Sequence, residues 1–224
     1  MTRLSQFQST PRHQRHAVAF SLIELLVVMA IMALLISIAA PGVIRALSGN
    51  RITTSGDLVL NRLVQAQQQA IAESSTIEVR FYRRIDPGSP GNDNGLVRSF
   101  QMHRLIDDPL AQADATGQER FSQPITEIFT LEGGVALSTD DEISSLMRQS
   151  DFVTSPIEGE TFPENVTGYR PVRFFADGST DLDPNGIWHL TVVDDREADS
   201  AEPPDNFYCI QLDPTTGRAR VFRP

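Results

Sequence analysis

From Phe20 to Ala40 the chain reads FSLIELLVVMAIMALLISIAA, an apolar run with one ionisable side chain, Glu24. A helix rises about 1.5 Å per residue, so about 20 such residues cover the roughly 30 Å of a bilayer core. The run therefore predicts a membrane-spanning helix over residues 20–40. Pro41-Gly42 follow it, and from Val43 to about Glu73 apolar residues recur at helical spacing. Val59, Leu63, Ala66 and Ala70 share one side, with Leu60, Val64 and Ile71 beside them. Arg62, Gln65, Gln67, Gln68 and Gln69 form the side expected to meet water. The pattern predicts one long helix, amphipathic over 41–75 and bent at Pro41-Gly42. The helix-poor piece from Ser48-Gly49-Asn50 through Ser55-Gly56 is a candidate local break, with Asp57 near a restart.

Beyond Ser75 the period changes from helical to two. Ile77, Val79 and Phe81 alternate with Glu78, Arg80 and Tyr82, as in a strand with one apolar and one polar face. Asp86 to Gly95 is rich in Pro, Gly and Asn and predicts a turn, followed by a strand over Val97–Ile106. Residues 107–123 are polar and without pattern. Short strands are expected at Ile125–Leu131 and Val135–Leu137, and a short helix at Asp140–Met147, where DDEISSL has an acidic start. Strands are expected again at Pro171–Ala176, Ile187–Val193, Phe207–Leu212 and Arg218–Phe222. The last two would form a hairpin closed by Asp213-Pro-Thr-Thr-Gly217. No internal repeat is present. The predicted class is α+β: a long N-terminal helix packed on an antiparallel, β-rich domain over 76–224.

The first 19 residues carry Arg3, Arg12 and Arg15 and no acid. An ordinary secretory signal places its small-residue cleavage site after the apolar run. Here Ala17-Val18-Ala19 stand before it, and a cut after Ala39-Ala40 would put Pro41 at the new terminus, a poor extended substrate. A cut between Ala19 and Phe20 would keep the whole helix. This order, read as Ala19, Phe20, Ser21, Leu22, Ile23, Glu24 with Pro41 after the apolar run, resembles the leader of type IV pilins and type II secretion pseudopilins. Ala19 departs from that family's usual Gly. The resemblance implies a pilin-like fold, cleavage between Ala19 and Phe20 by a prepilin peptidase/methyltransferase, N-methylation of Phe20, and assembly with other pilin-like subunits. It gives Glu24 and Pro41 assembly roles.

Glu24 also calls for a physical account, because a carboxylate deep in a spanning helix costs about 2.5–3.5 kcal/mol on insertion scales. Either it snorkels to water at the helix end, or it meets the α-amine that cleavage would create on Phe20. The resemblance implies the second, with the amine belonging to a neighbouring subunit. The weak piece over 48–56 would then be either a segment that melts during filament packing or a plain loop. Two further stretches narrow the likeness. VRFFADGSTDLDPNGIWHLTVV is similar to a hairpin with an F-x-x-x-G pattern in GspH/FimT-like minor pseudopilins, and IQLDPTTGRARVFRP is similar to their final hairpin. Length and the Arg-Pro ending also resemble the cassette protein D family of the Verru_Chthon cassettes.

Charge sets the expected topology. Removing three of the 19 cations with the leader leaves 16 against 29 acids, a net charge of about −13. Positive before the helix and negative after it predicts a single pass with the leader inside and residues 76–224 outside the cytoplasm; with the resemblance this implies the bacterial inner membrane and a periplasmic domain. So acidic a domain argues against nucleic acid as a partner. The chain has no lysine, which removes Schiff-base and Walker lysines and Lys–Asn isopeptide bonds. With Cys209 as the only cysteine, neither an intramolecular disulfide nor a thiolate–zinc cluster can form. Cys209 reads as a small buried hydrophobe in NFYCIQL; a nucleophile would need His103 or His189 beside it.

Asp177, Asp181, Asp183 and Asn185 offer hard oxygen ligands at a spacing open to calcium. They lack the spacing and distal Glu of an EF-hand, and the same residue types make ordinary turns. The cluster from Asp86 to Asn94 has the same standing. Carboxylate pairs for glycoside hydrolysis carry no signal in so acidic a chain. No Ser/His/Asp signature, GxSxG, HExxH or phosphate-cradling loop is present. The sequence therefore reads as a non-enzymatic, prepilin-like assembly subunit without a cofactor. The competing reading is a signal-anchored periplasmic enzyme or binding module that uses residues 20–40 only as an anchor. A soluble secreted product would require removal of the helix, which Pro41 opposes.

Overall fold

The computed structural model describes residues 21–85, 95–107, 120–155 and 161–223, with the backbone alone at 38–46, 107, 120–121 and 149. The expected leader over 1–19, the scissile pair Ala19-Phe20, the 86–94 turn with its acidic cluster, and residues 108–119 lie outside the described residues. Helix α1 runs Leu22–Glu73. Among the described residues nine strands follow: β1 Thr76–Arg84, β2 Leu96–Asp107, β3 Arg120–Pro124, β4 Phe129–Thr130, β5 Val135–Leu137, β6 Val166–Phe174, β7 Trp188–Asp194, β8 Tyr208–Leu212 and β9 Ala219–Phe222. The chain divides into two compact units, Met1–Ile44 and Arg45–Pro224, and the β-rich core belongs to the second.

Every pairing in the sheet is antiparallel, in the order β6-β1-β2-β5-β7-β8-β9. The long strand β2 is the branch point. One edge of it pairs with β1 from Leu96 to Leu105, while the other receives β3, β4 and β5 in turn. The stripe predicted on the helix is the stripe that packs: Val59, Leu63, Ala66 and Ala70 are buried, joined by Ile52. They meet Ile77, Val79 and Phe81 of β1, Phe100 and Met102 of β2, Val172 and Phe174 of β6, Leu190 and Val192 of β7, and Tyr208, Ile210 and Leu212 of β8 in one core. Each large side chain so buried contributes roughly 1.5–3 kcal/mol relative to exposure.

The helix does not break at 48–56. Glycine costs a helix interior about 1 kcal/mol relative to alanine, but here it permits close approach. A Cβ on Gly56 would lie 2.3 Å from Cγ of Tyr208, so only glycine lets that ring lie against the helix backbone. Tyr208 then donates its hydroxyl proton to Asp57 Oδ1 at 2.6 Å. Ser55 is buried, and its Oγ accepts the N–H of Glu132 at 3.3 Å. Residues that look helix-poor in the sequence are therefore the ones the sheet needs. Gln67 was expected to face water and is also drawn inward: its Nε2 donates to the carbonyls of Gly178, at 3.3 Å, and Thr216.

Several other expectations are corrected. The proposed helix at Asp140–Met147 is a turn followed by one 3₁₀ turn, Ser145–Met147. Asp140 Oδ1 accepts the N–H groups of Glu142 and Ile143, and the serines reach across to β7. Ser144 Oγ accepts from Thr191 N and Ser145 Oγ from His189 N, so side-chain bonding displaces the helix. Of the strand expected at Ile125–Leu131 only Phe129–Thr130 forms, because Thr126 instead binds Met102 N and the Gln101 side chain. β6 and β7 do not form a hairpin with each other: β6 pairs with β1, and β7 with β5 and β8. The chain reverses locally instead, through Phe175 N to Ser179 O and an isolated bridge between Phe174 and Thr180. The β8–β9 hairpin forms as expected, closed at Gly217 with φ +63°.

Replacing Gly56 with alanine should lower the thermal midpoint of the full chain in detergent micelles, with a cost of about 1–3 kcal/mol from overpacking against Tyr208. A raised midpoint, as helix propensity alone would give, would show that the ring yields freely.

Candidate functional site

The first turn of α1 starts at Ser21, whose carbonyl accepts the N–H groups of Glu24 at 3.0 Å and Leu25 at 3.2 Å. From 21 to 37 every side chain is exposed, among them Leu22, Ile23, Leu25, Leu26, Met29 and Leu35. Glu24 is the one ionisable group among them. Such an apolar surface is far outside what a water-soluble monomer presents and marks a site of membrane or protein contact. Among the described residues no helix is long and apolar enough to cross a membrane; of the run from Phe20 to Ala40, Phe20 and the side chains of 38–40 lie outside them. Pro41 lies within α1, and its side chain falls outside the described residues.

The weak calcium candidates do not converge. Asp177 Oδ1 accepts from the backbone and hydroxyl of Ser179, and these bonds hold its carboxyl below the usual range. Asp183 Oδ1 accepts from Asn185 N, and its carbonyl takes the Trp188 indole N–H at 2.8 Å. Asp181 is turned inward, where its Oδ1 accepts the N–H of Arg173 at 2.9 Å. Among the described residues no group of three or more His, Cys, Asp or Glu side chains is placed to hold a metal. The loop serves packing instead: Thr180 donates N–H and hydroxyl to Pro214 O, each at 2.9 Å. A Cβ on Gly217 would lie 2.3 Å from the carbonyl oxygen of Gly178. The two glycine-bearing stretches singled out in the sequence therefore meet each other, at Gln67 of α1.

The polar face of β1 is buried as well as the apolar one. Glu78 and Arg80 lie two apart on one face, and Glu78 is in register with Arg173 of β6. Glu78 Oε1 takes Arg80 Nε at 2.6 Å and Oε2 takes Arg173 Nε at 2.7 Å. The Arg80 guanidinium lies 4.5 Å from the centroid of the Tyr169 ring, a cation–π contact. Beside them runs a directional chain of hydrogen bonds. Gln101 Nε2 donates to Thr126 O at 2.8 Å, so its Oε1 accepts the Tyr82 hydroxyl proton at 3.0 Å. Tyr82 Oη then accepts from His103 Nε2 at 3.1 Å, and in the neutral imidazole Nδ1 accepts from Ser122 Oγ, also at 3.1 Å. A cleft of about 200 Å³ opens over this layer, walled by Tyr82, Pro124, Phe162 and Tyr169, with His103 and Ser122 at its polar side.

Sequence reasoning missed this layer. The Glu-x-Arg spacing on β1 was visible, but its cover comes from distant residues such as Phe162 and Pro163. Cys209 is half-buried rather than in the core, on the opposite face of β8 from Tyr208, Ile210 and Leu212. Burial pushes its thiol up, with Thr191 acting against that shift. His103 bonds Tyr82 and Ser122, and His189 lies 3.0 Å from Ser145 Oγ, so both imidazoles serve other side chains.

Glu78→Gln removes the carboxylate that both guanidiniums share and should cost about 3–5 kcal/mol in chemical denaturation; a loss under about 1 kcal/mol would show that water replaces it. Asp181 behaves differently. Burial pushes its carboxyl above the ordinary value, against the pull of Arg173 and Arg170. A raised folded value means that its contribution is fully present below the unfolded value of about 3.9 and is lost as pH rises through the folded one. Asp181→Asn keeps an acceptor for Arg173 N, so its thermal midpoint should match or exceed wild type at neutral pH. That advantage should vanish below about pH 4. A lower midpoint at neutral pH would show that the charge stabilises the loop.

No family model matches the chain, and no curated protein does. Among solved structures the chain is similar to the minor pseudopilin EpsH from the type 2 secretion system of Vibrio cholerae, at 17% identity over 78% of this chain and 98% of that one, with a TM-score of 0.40. A second EpsH structure gives 16% identity, 78% and 95% coverage and 0.40. The type IV minor pilin FimU of Pseudomonas aeruginosa gives 9% identity, 78% and 93% coverage and a TM-score of 0.43.

Proposed function

We propose that this chain is a prepilin-like subunit of a pilus or secretion pseudopilus. The observation that carries the reading is the helix segment over 21–37, exposed along its whole length with the single carboxylate of Glu24 near its start. Aliphatic side chains so displayed need a bilayer or partner helices around them. The basic residues before the helix and the acidic domain after it support insertion with the leader inside. In this reading a prepilin peptidase cuts between Ala19 and Phe20 and Phe20 is N-methylated. Residues 20–40 hold the subunit in the inner membrane, and the β-rich unit stands in the periplasm. The subunit then moves laterally into a filament, where Glu24 neutralises the N-terminal amine of a neighbour. The nearest subtype is a GspH/FimT-like minor pseudopilin. The work is non-enzymatic: helix packing below, surface presentation above.

The N-terminal peptide of protein purified from its native membrane tests this. A terminus at methylated Phe20 is expected; a terminus at Met1 would leave a signal-anchored domain in its place. Glu24→Ala should be processed like wild type but recovered far less in co-purified assemblies, and equal recovery would remove the proposed role of that carboxylate.

A further inference from the structure

The main path of the sheet ends at β6 and at β9, and the chain treats these two edges in opposite ways. From Tyr169 to Arg173 the outward main-chain groups of β6 are those of Tyr169, Pro171 and Arg173, and each is occupied. Tyr169 exchanges two hydrogen bonds with Val153, N–H to oxygen at 2.8 and 3.0 Å. Pro171 has no N–H, and its carbonyl takes Arg170 Nη1 at 2.9 Å. Arg173 N donates to the Asp181 carboxylate at 2.9 Å, and its carbonyl takes Asp181 N at 3.2 Å. Over this stretch, among the described residues, an extended chain has nothing to pair with.

Among the described residues nothing covers the β9 edge in this way. Asp213 N donates to Arg218 O across the turn, so by the antiparallel alternation the bonded pairs are Gln211 with Arg220 and Cys209 with Phe222. The main-chain groups of Ala219 and Val221 therefore point away from β8. Arg218, Arg220, Val221, Phe222 and Arg223 are exposed along this edge, and residues 218–223 include no acid in a chain with a net charge of −10. Arg223 pairs with Asp57 at 3.4 Å, and Arg220 lies near Asp213 at the turn, so the strand still carries more cations than the acids that face it. Charged side chains on an edge strand also discourage indiscriminate pairing, so they act as a filter. Self-pairing of two β9 strands would set arginine against arginine, which disfavours a second copy.

We propose that β9 is a strand-addition site for an extended, acidic segment of a partner protein, with main-chain bonds to Ala219 and Val221 and carboxylates on Arg218 and Arg220. The surface lies wholly in the β-rich unit and does not depend on how the apolar helix is used. The test takes the full chain in detergent micelles and a short fluorescent peptide alternating glutamate with valine, with a lysine-for-glutamate peptide as control. The glutamate peptide should bind and slow hydrogen exchange at the Ala219 and Val221 amides, while the lysine peptide does not bind. Val221→Pro removes an outward N–H and no ladder bond, a change edge strands tolerate, and should weaken binding about tenfold. Arg220→Glu touches no main-chain bond and should weaken it at least as much, so the outcome does not hang on how the proline variant folds. Absence of binding by the glutamate peptide to wild type, equal binding of both peptides, or binding indifferent to Val221→Pro and Arg220→Glu would each overturn the proposal and leave the arginines as a guard on the edge.

Discussion

The β-rich unit depends on how closely α1 approaches its sheet. Gly56 gives the Tyr208 ring access to the helix backbone, Ala66 and Ala70 keep the following turns slim, and Ser55 accepts a strand-side N–H. One step further along, Gln67 donates to the turns at Gly178 and Thr216, and those turns meet where neither glycine can carry a side chain without strain. Distant parts of the sequence are thereby fixed to one helix at two points. Interiors are close-packed, so an added methyl at these positions has no free space to enter.

What the sequence made legible follows from what its local period records. The stripe Val59–Leu63–Ala66–Ala70 is buried as its spacing requires, and β2, β5, β7, β8 and β9 lie within a residue or two of the segments read as strands. The failures share a cause: local propensity is outweighed by a distant partner. Ser48 to Gly56 looked like a break because Gly and Ser are poor helix formers in isolation. The same residues remain helical because Tyr208 and Glu132 meet them there. Ser144 and Ser145 gave up a helix for bonds to β7. The β6–β7 segment resembled a hairpin because its turn is real; only the strand order sends the two arms to different neighbours.

The buried polar layer was the least legible part. A strand reading Ile-Glu-Val-Arg-Phe-Tyr has the alternation of one dry and one wet face, and nothing local says that the wet face will be covered. Its charges are tolerable inside because Glu78 meets both Arg80 and Arg173, and because the chain from Ser122 to Thr126 hands each proton to an acceptor. A buried ion pair is weak evidence for net stability; what this one specifies is register, since a one-residue slip of β6 on β1 would part Glu78 from Arg173.

The two ends of α1 therefore pose opposite physical problems. Within the β-rich unit the apolar stripe is covered and the polar groups are largely bonded, so the domain has little reason to rearrange. Residues 21–37 display exposed aliphatic side chains, and the lone carboxylate of Glu24 stands near their start. A helix that is apolar all round is at equilibrium only when surrounded by lipid or by other helices. Under the proposed function, a charge costly in the first surrounding and neutralised by a neighbour's amine in the second would favour transfer from one to the other, and Glu24 would make the membrane a temporary place for the subunit.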